Sequence, residues 1–355
     1  MKVLFLLADN VYLTPYLRFY TSIFDYFKDD YKIVYWDKNK NEIFDNESYI
    51  RFVHGGKSKV EKINGYLKYR EFILNICKNE KFDLLVPLHS IVSFVLFDLF
   101  IKNYKKKYIY DIRDYSYESF ILFRFAEKYL VKKSLINIIS SEGYKEFLPK
   151  AEYFVLHNIP NNVFSNYREM ENRNKKVIQI SYIGLIRFMK QNEKIIRFFK
   201  NDNRFHLNFI GTNAEKLSEF CNKNNVKNVS LVGTFDPKDT LKFYDETDII
   251  MNLYGNNTPL LDYALSNKLY YSAMLYKPIL VCEDTYMEYV SSKYNFGFTL
   301  KMQSEDEKDR LEEFINNIDR RLLIKRCNSF MSEVNSEQLN TKTELLIRLR
   351  KLNMK

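Results

Sequence analysis

Glycine, proline and tryptophan are scarce in this chain, at 9, 7 and 1 of 355 residues. Neither G-x-G-x-x-G nor G-x-x-x-x-G-K-[ST] occurs, so the dinucleotide and P-loop fingerprints are both missing. The four cysteines, Cys77, Cys221, Cys282 and Cys327, stand far apart without C-x-x-C spacing. That pattern suggests neither a zinc site nor a disulfide framework, and reduced thiols are the expectation. No Asp-x-Asp pair stands at a strand end, so no metal on a diphosphate is implied and no cofactor is expected. Long hydrophobic runs are also missing. Val3 to Ala8 is too short for a signal sequence and meets Asp9; Ile91 to Ile101 contains Asp98 and is too short to span a bilayer. A cytoplasmic location is expected, with any membrane contact peripheral at the inner face.

Hydrophobic residues make up 46% of the chain, ample for sizeable cores, and the length suits two domains better than one. With 28 Tyr and 29 Phe, a single aromatic residue carries little weight as a signal. The net charge of +10 suits phosphates or an anionic membrane. No nucleic-acid-binding motif accompanies it, so a nucleic-acid partner is not expected.

Short apolar runs alternate with helical periodicity. Lys2 to Ala8, Tyr31 to Trp36, Asp83 to Leu88, Lys107 to Asp111, Leu135 to Ser140 and Tyr153 to Leu156 read as strands. Between the first of them lie helical faces carrying Leu17, Tyr20, Phe24 and Phe27, then Tyr69, Phe72, Ile73 and Ile76. Continuous apolar strands fit a parallel sheet covered on both faces. Asn158 to Asn162 is turn chemistry, and Ser165 to Lys176 is almost wholly polar. The pattern then restarts. Strands at Val177 to Ile183, Phe205 to Ile210 and Val229 to Val232 each end on a glycine, Gly184, Gly211 and Gly233. Asp248 to Leu253 and Pro278 to Cys282 follow. The tail has two helical patterns, one from Leu311 to Leu322 and one from Leu345 to Leu352. The expected organisation is an N-terminal domain over 1–160, a linker over 161–176, a second domain over 177–330 and a C-terminal helix over 331–355. Ligands of open α/β sheets bind at the carboxyl ends of the strands, which directs attention to the residues just after them.

Gly184 allows close approach to the backbone, and Arg187 and Lys190 follow it into a helix, a reasonable diphosphate site or else a tight turn with solvated charges. Ser266 reads as an N-cap, with Asn267 and Lys268 opening the next helix. In the N-terminal half, Asp9 and Asn10 follow the first strand and His89 ends the third. Asp111, Arg113 and Asp114 either orient acceptor hydroxyls or form a local ion pair. Arg124, Lys128, Lys132 and Lys133 interleave with Phe120, Phe123, Phe125, Tyr129 and Leu130, near the basic run Lys102 to Lys107. This stretch reads equally as a membrane-facing surface or as a helix with one buried and one solvated face.

Ser266-Asn-Lys-Leu-Tyr270, a helix and then Lys277-Pro-Ile-Leu280 resembles the donor-binding segment of GT-B glycosyltransferases, most similarly glycosyltransferase family 4 and its capsular-polysaccharide relatives. Gly184, Arg187 and Lys190 resemble that family's diphosphate loop, Asp83 to His89 its strand ending in a cleft histidine, Asp111 to Asp114 its Asp-x-Arg-Asp stretch, and His157 to Asn161 its hinge. The pieces come in the expected order over roughly residues 1 to 300. The resemblance implies two Rossmann-like domains facing across a cleft. It implies transfer, with retention, from a nucleoside-diphosphate sugar to a glycan on a polyprenyl diphosphate. Gly184, Arg187, Lys190, Gly211, Asp262, Asn267 and Lys268 would bind the donor. Asp9, Asn10 and Asp114 would bind the acceptor, and His89, Asp111 and Arg113 would act in catalysis. Departures are plain: Tyr263 and Tyr271 stand where the family often has two glutamates, Tyr276 where it has a glycine, and the loop from Asp9 to Pro15 lacks paired glycines. They leave open an inactive binding subunit or a nucleotide-sugar epimerase.

Overall fold

A computed structural model of the chain describes residues 1–55, 58–115, 117–160 and 177–354. The expected linker over 161–176 lies outside the described residues. The chain divides into two compact units, one of Met1–Asn161 with Asn335–Lys355 and one of Asn162–Val334.

The first unit is built on β1 (Lys2–Leu7), β2 (Asp30–Trp36), β3 (Tyr49–Phe52), β4 (Leu84–Leu88), β5 (Ile109–Ile112), β6 (Ile136–Ile139) and β7 (Phe154–Val155). Every pairing is parallel, in the order β3-β2-β1-β4-β5-β6-β7. The chain begins at β1, winds outward through β2 and β3, then returns to the other side of β1. The order therefore reverses between β1 and β4, and a crevice opens beyond their carboxyl ends. Residues 84 to 88 are all buried, as expected of a strand covered on both faces. Helix Leu17–Phe27 covers the sheet with Leu17, Tyr20, Ile23 and Phe24. Tyr69, from helix Lys59–Asn79, donates its hydroxyl to Leu7 O at 2.6 Å.

The second unit repeats the plan with β8 (Ile178–Ile183), β9 (Phe205–Ile210), β10 (Val229–Val232), β11 (Ile249–Asn252), β12 (Ile279–Val281) and β13 (Gly297–Thr299). Its parallel order is β10-β9-β8-β11-β12-β13, so the reversal falls between β8 and β11. Its core includes Ile180, Tyr182, Ile195, Phe199, Leu207, Phe209 and Met251.

The tail corrects one expectation. The apolar positions from Leu311 to Leu322 do not share a helix: one helix ends at Asn316 and another starts at Arg320. The Asp319 carboxylate accepts from the Leu322 amide at 3.1 Å, a side-chain cap that begins the new helix. This helix, Arg320–Asn353, serves both units. Phe330 packs against Phe296 at 5.5 Å in the second unit. Leu345 and Leu349 are buried in the core of the first, and Glu337 meets His157 there at 2.5 Å.

Helix Ile121–Lys133 turns Glu127 inward, 1% exposed, to accept from Tyr110 at 3.2 Å. Burial, reinforced by nearby Glu118, pushes its carboxyl up to about 8. The folded state therefore holds a proton that the unfolded chain releases near pH 4.5, and stability falls as pH rises from there to about 8. Glu127→Gln is expected to leave the melting temperature unchanged at pH 4 and to raise it at pH 8, by on the order of 1–3 kcal/mol of stability. Parallel pH profiles of the two proteins in thermal melts contradict this.

Candidate functional site

At the carboxyl edge of the first sheet, the segment after β1 is held by carboxylates from the loop after β2. Asn10 is fully buried and donates to Asp37 at 2.7 Å. Glu42 accepts from the amides of Val11 and Tyr12 at 2.7 and 3.1 Å. These clamps shape the loop in place of glycines, and no residue from Asp9 to Pro15 has positive φ. Burial opposes the charge of Asp37, but Arg51, Asn10 and two backbone amides outweigh it and hold the carboxyl down at about 2. Asp9 stays accessible and pairs with Lys38 at 2.9 Å.

His89 ends β4 beside them and is half-buried. Its Nδ1 accepts from the Ile91 amide at 3.3 Å, which leaves Nε2 as the protonated nitrogen of the neutral ring, pointing to no partner among the described residues. Burial, with the Lys38 ammonium adding to it and Asp9 opposing, pushes its pKa down to about 4. The imidazole is neutral at ordinary pH and offers an N–H.

Asp111 and Arg113 form the local ion pair that their spacing allows. Both are buried, at 0% and 6% exposure. Arg113 reaches Asp111 at 2.6 and 2.7 Å and also donates to Leu156 O at 2.9 Å. Tyr20 completes Asp111 at 2.6 Å, and Tyr16 lies 3.9 Å from the guanidinium. The Tyr16 hydroxyl in turn donates to Leu88 O at 3.4 Å, one residue before His89. The pair thus braces the wall from which His89 projects. Asp114 is exposed.

In the second unit, the residues after β8, β9 and β11 converge with the helix Asn267–Met274. Gly184 and Gly211 have φ of 118° and 132°, values costly to any side chain. They also touch: a Cβ on Gly211 would fall 1.9 Å from the Gly184 carbonyl oxygen. The loop beyond Gly184 is pinned from three sides. Tyr182 donates to Leu185 O at 2.9 Å, its hydroxyl accepts from the Arg187 amide at 3.1 Å, and Asn192 donates to Arg187 O at 2.6 Å. Backbone this well held leaves the Arg187 and Lys190 side chains exposed, and neither has a carboxylate partner among the described residues. Phe188 takes a left-handed conformation, φ 56°, before helix Met189–Phe199.

Lys268 is the unusual member. It is 7% exposed, and its Nζ donates to the Tyr254 hydroxyl at 2.8 Å. The ammonium lies 4.6 Å from the centre of the Tyr182 ring and 5.4 Å from that of Tyr254. No carboxylate pairs with it among the described residues. Burial pushes it down to about 8, with Arg187 adding repulsion and Tyr182 opposing. A Cβ on Gly184 would stand 3.9 Å from its Nζ. The ammonium therefore borders the glycine floor at the sheet reversal. Ser266 caps the helix as expected, accepting from the Lys268 amide at 3.3 Å. Asn267 is exposed beside it, and Asp262, on helix Pro259–Tyr263, has a buried Oδ1 without a hydrogen-bond partner among the described residues. Tyr271 stacks on Tyr244 at 4.8 Å. Tyr276 has φ 52°, a left-handed turn that explains why a glycine suits the position.

Sequence reasoning missed Lys38, and also Tyr254 with Gly255. Gly255, φ 100°, closes the segment after β11 and donates its amide to Cys282 Sγ at 3.3 Å. The same strand-then-glycine signal found at Gly184, Gly211 and Gly233 could have found it.

No family model and no curated protein sequence matches the chain. Solved structures do. Sucrose-phosphate synthase from Thermosynechococcus elongatus is 9% identical, TM-score 0.73, over 100% of this chain and 99% of that one. HepE from Anabaena in complex with UDP is 11% identical, TM-score 0.67, over 97% and 99%. The lipopolysaccharide outer core galactosyltransferase WaaB is 11% identical, TM-score 0.63, over 98% and 100%. At such identities the likeness is one of fold: this chain has the two parallel α/β units of the GT-B glycosyltransferases.

The Gly184–Gly211 contact leaves no room for a methyl group. Gly211→Ala is expected to cost about 2–5 kcal/mol, combining backbone strain with overpacking. Gly233→Ala, where a Cβ meets nothing within 4 Å, should cost under about 1 kcal/mol. Equal denaturation midpoints for the two variants contradict the packing described.

Proposed function

We propose that the protein is a glycosyltransferase that moves a sugar from a nucleoside-diphosphate sugar to a glycan carried on a polyprenyl diphosphate, with retention, in building a bacterial surface polysaccharide. The observation that carries the reading is Lys268: a buried ammonium without a carboxylate among the described residues, bordering a glycine floor at the β8–β11 reversal, in the first turn of a helix. A diphosphate is the ligand such a group lacks. Arg187 and Lys190 add exposed cations from a hydrogen-bonded loop, and together these groups are of the kind that stabilises a departing nucleoside diphosphate. The described residues include no group of three or more His, Cys, Asp or Glu able to hold a metal ion. HepE has been solved with UDP and with UDP and glucose, and trehalose-6-phosphate synthase, 9% identical with TM-score 0.66, is described in terms of glycosyl transfer with retention.

On the acceptor side the reading uses Asp9, Lys38 and His89. Neutral His89 offers its Nε2–H to a hydroxyl or to the transferred sugar, while Asn10 keeps the Asp9 loop in register. Asp262, with its unpartnered buried oxygen, stands next to the first tyrosine that replaces a family glutamate and is the candidate for a sugar hydroxyl. The second replaced position, Tyr271, is engaged by Tyr244 and brings no carboxylate. That observation favours, as the second reading, a subunit that binds donor without turnover.

A panel of nucleoside-diphosphate sugars, read by thermal shift and then by nucleotide release with membrane lipid extract, separates the readings. One donor is expected to stabilise the protein, and its diphosphate to be released only with acceptor lipid. Lys268→Met should lower donor affinity at least about tenfold while leaving the unliganded melting point unchanged or higher, because an unpaired buried charge is removed. His89→Ala should keep the donor shift and lower turnover at least about tenfold. Shift without release supports the binding subunit, and conversion of the donor without acceptor an epimerase. If no donor shifts the melting point, the transferase reading fails.

A further inference from the structure

Helix Ile121–Lys133 buries one face through Phe123, Ala126, Leu130 and Val131. Its outward face is also apolar. Ile121, Leu122, Phe125 and Tyr129 are 67%, 76%, 63% and 55% exposed, with Phe120 at 63% just before them. These helical positions fall within about 100° of the circumference at 3.6 residues per turn. Leu122, Phe125 and Tyr129 join Phe94 and Phe97 around an apolar groove of about 420 Å³. A scattered exposed leucine needs no explanation, but a contiguous patch of this kind does.

The exposed charges that residues 120–133 bring to the patch have one sign, and the nearby Asp98, next to Phe97, is paired with Arg70. Arg124 and Lys128 flank it on one side, Lys133 lies on the other, and Lys132 closes its far end; the first two and Lys132 are exposed. Between Phe120 and Lys133 the sequence contains one acid, Glu127, and that one is buried against Tyr110. The outward face thus carries aromatic and aliphatic tips among cations and no carboxylate. A protein partner with an acidic, apolar surface would suit it less well than a sheet of anionic headgroups over hydrocarbon. Phe and Leu reach the acyl boundary, Tyr sits at headgroup depth, and Lys and Arg reach back to phosphate. Because β5 leads into this helix, its first turn lies at the carboxyl edge of the first sheet, the edge that carries Asp9 and His89.

We propose that residues 120–133 are a membrane-docking surface that seats the first unit on an anionic bilayer through Leu122 and Phe125, with Arg124, Lys128 and Lys132 on the headgroups. The described residues contain no helix long and apolar enough to cross a membrane, so the docking is superficial. The proposal deepens the acceptor side of the function above and rests on it only for what the membrane delivers.

Vesicle co-sedimentation of the full chain tests it, using phosphatidylcholine alone or mixed with phosphatidylglycerol at about three to one. Binding is expected to the mixed vesicles, at least about tenfold weaker to the neutral ones, and to fall with added salt. The double variant L122E/F125E, at two exposed positions, should lose at least about tenfold in affinity with an unchanged melting point and an unchanged donor-induced shift. K128E/K132E should lose binding to mixed vesicles without altering the apolar tips. Equal binding to both vesicle types, full binding by L122E/F125E, or a wild-type dimer that this variant turns into a monomer overturns the proposal. Failure of the donor shift with intact vesicle binding sinks the transferase reading and leaves the docking surface standing.

Discussion

An ammonium group taken out of water with nothing negative beside it is expensive, and proteins rarely keep one without use. Among the described residues Lys268 is such a group, and Tyr182, Tyr254, Gly184 and Gly211 are arranged around it. Tyr182 and Tyr254 turn ring faces and one hydroxyl towards it, contacts that soften the loss of hydration without neutralising the charge. Gly184 keeps side-chain atoms away from it, and the packing of Gly211 against Gly184 fixes that floor. Tyr182 serves twice, since the hydroxyl of the ring that faces Lys268 also pins the loop carrying Arg187. Among the described residues this charge meets no carboxylate, and the proposed function assigns that place to a diphosphate.

The first unit treats its buried cation in the opposite way. Arg113 is paired through two of its nitrogens with Asp111 and shielded by Tyr16, so its charge is used up internally. What that unit leaves accessible is a smaller, weaker set: the Asp9–Lys38 pair and a neutral imidazole. Such groups suit hydroxyls, whereas a buried ammonium suits phosphates. The two sheets share a strand order over six strands, the first adding β7 at its edge, and each places its polar groups at its own reversal point, but the chemistry held there differs.

Both sheets were legible in the sequence because parallel strands covered on both faces read as unbroken apolar runs, as in β1, β4 and β8. β3 and β13 were not, because all their residues are half-buried and they lie at sheet edges, where the apolar signal weakens. The glycine floor was legible, since a glycine directly after a strand is a local signal. Asp111 and Arg113 were ambiguous at a spacing of two; only the fold, bringing Tyr20 and Leu156 to them, shows them as a closed pair. Lys38 was invisible because it joins the site through the β1–β2 pairing rather than through any motif. The isolation of Lys268 was likewise hidden, because the lack of a partner depends on every segment that packs nearby.

The most direct measurement is the proton balance of UDP binding. Calorimetric titrations at about pH 8.5, in two buffers of different ionisation enthalpy, report how many protons accompany the ligand. With its pKa held down to about 8, Lys268 is mostly neutral there in the free protein, and a diphosphate beside it restores the charge. Wild-type protein should take up a substantial fraction of a proton on binding UDP at this pH and clearly less at about pH 6.5, where the ammonium is already formed. Tight UDP binding with the same proton balance at both pH values would contradict the assignment of Lys268 to the diphosphate.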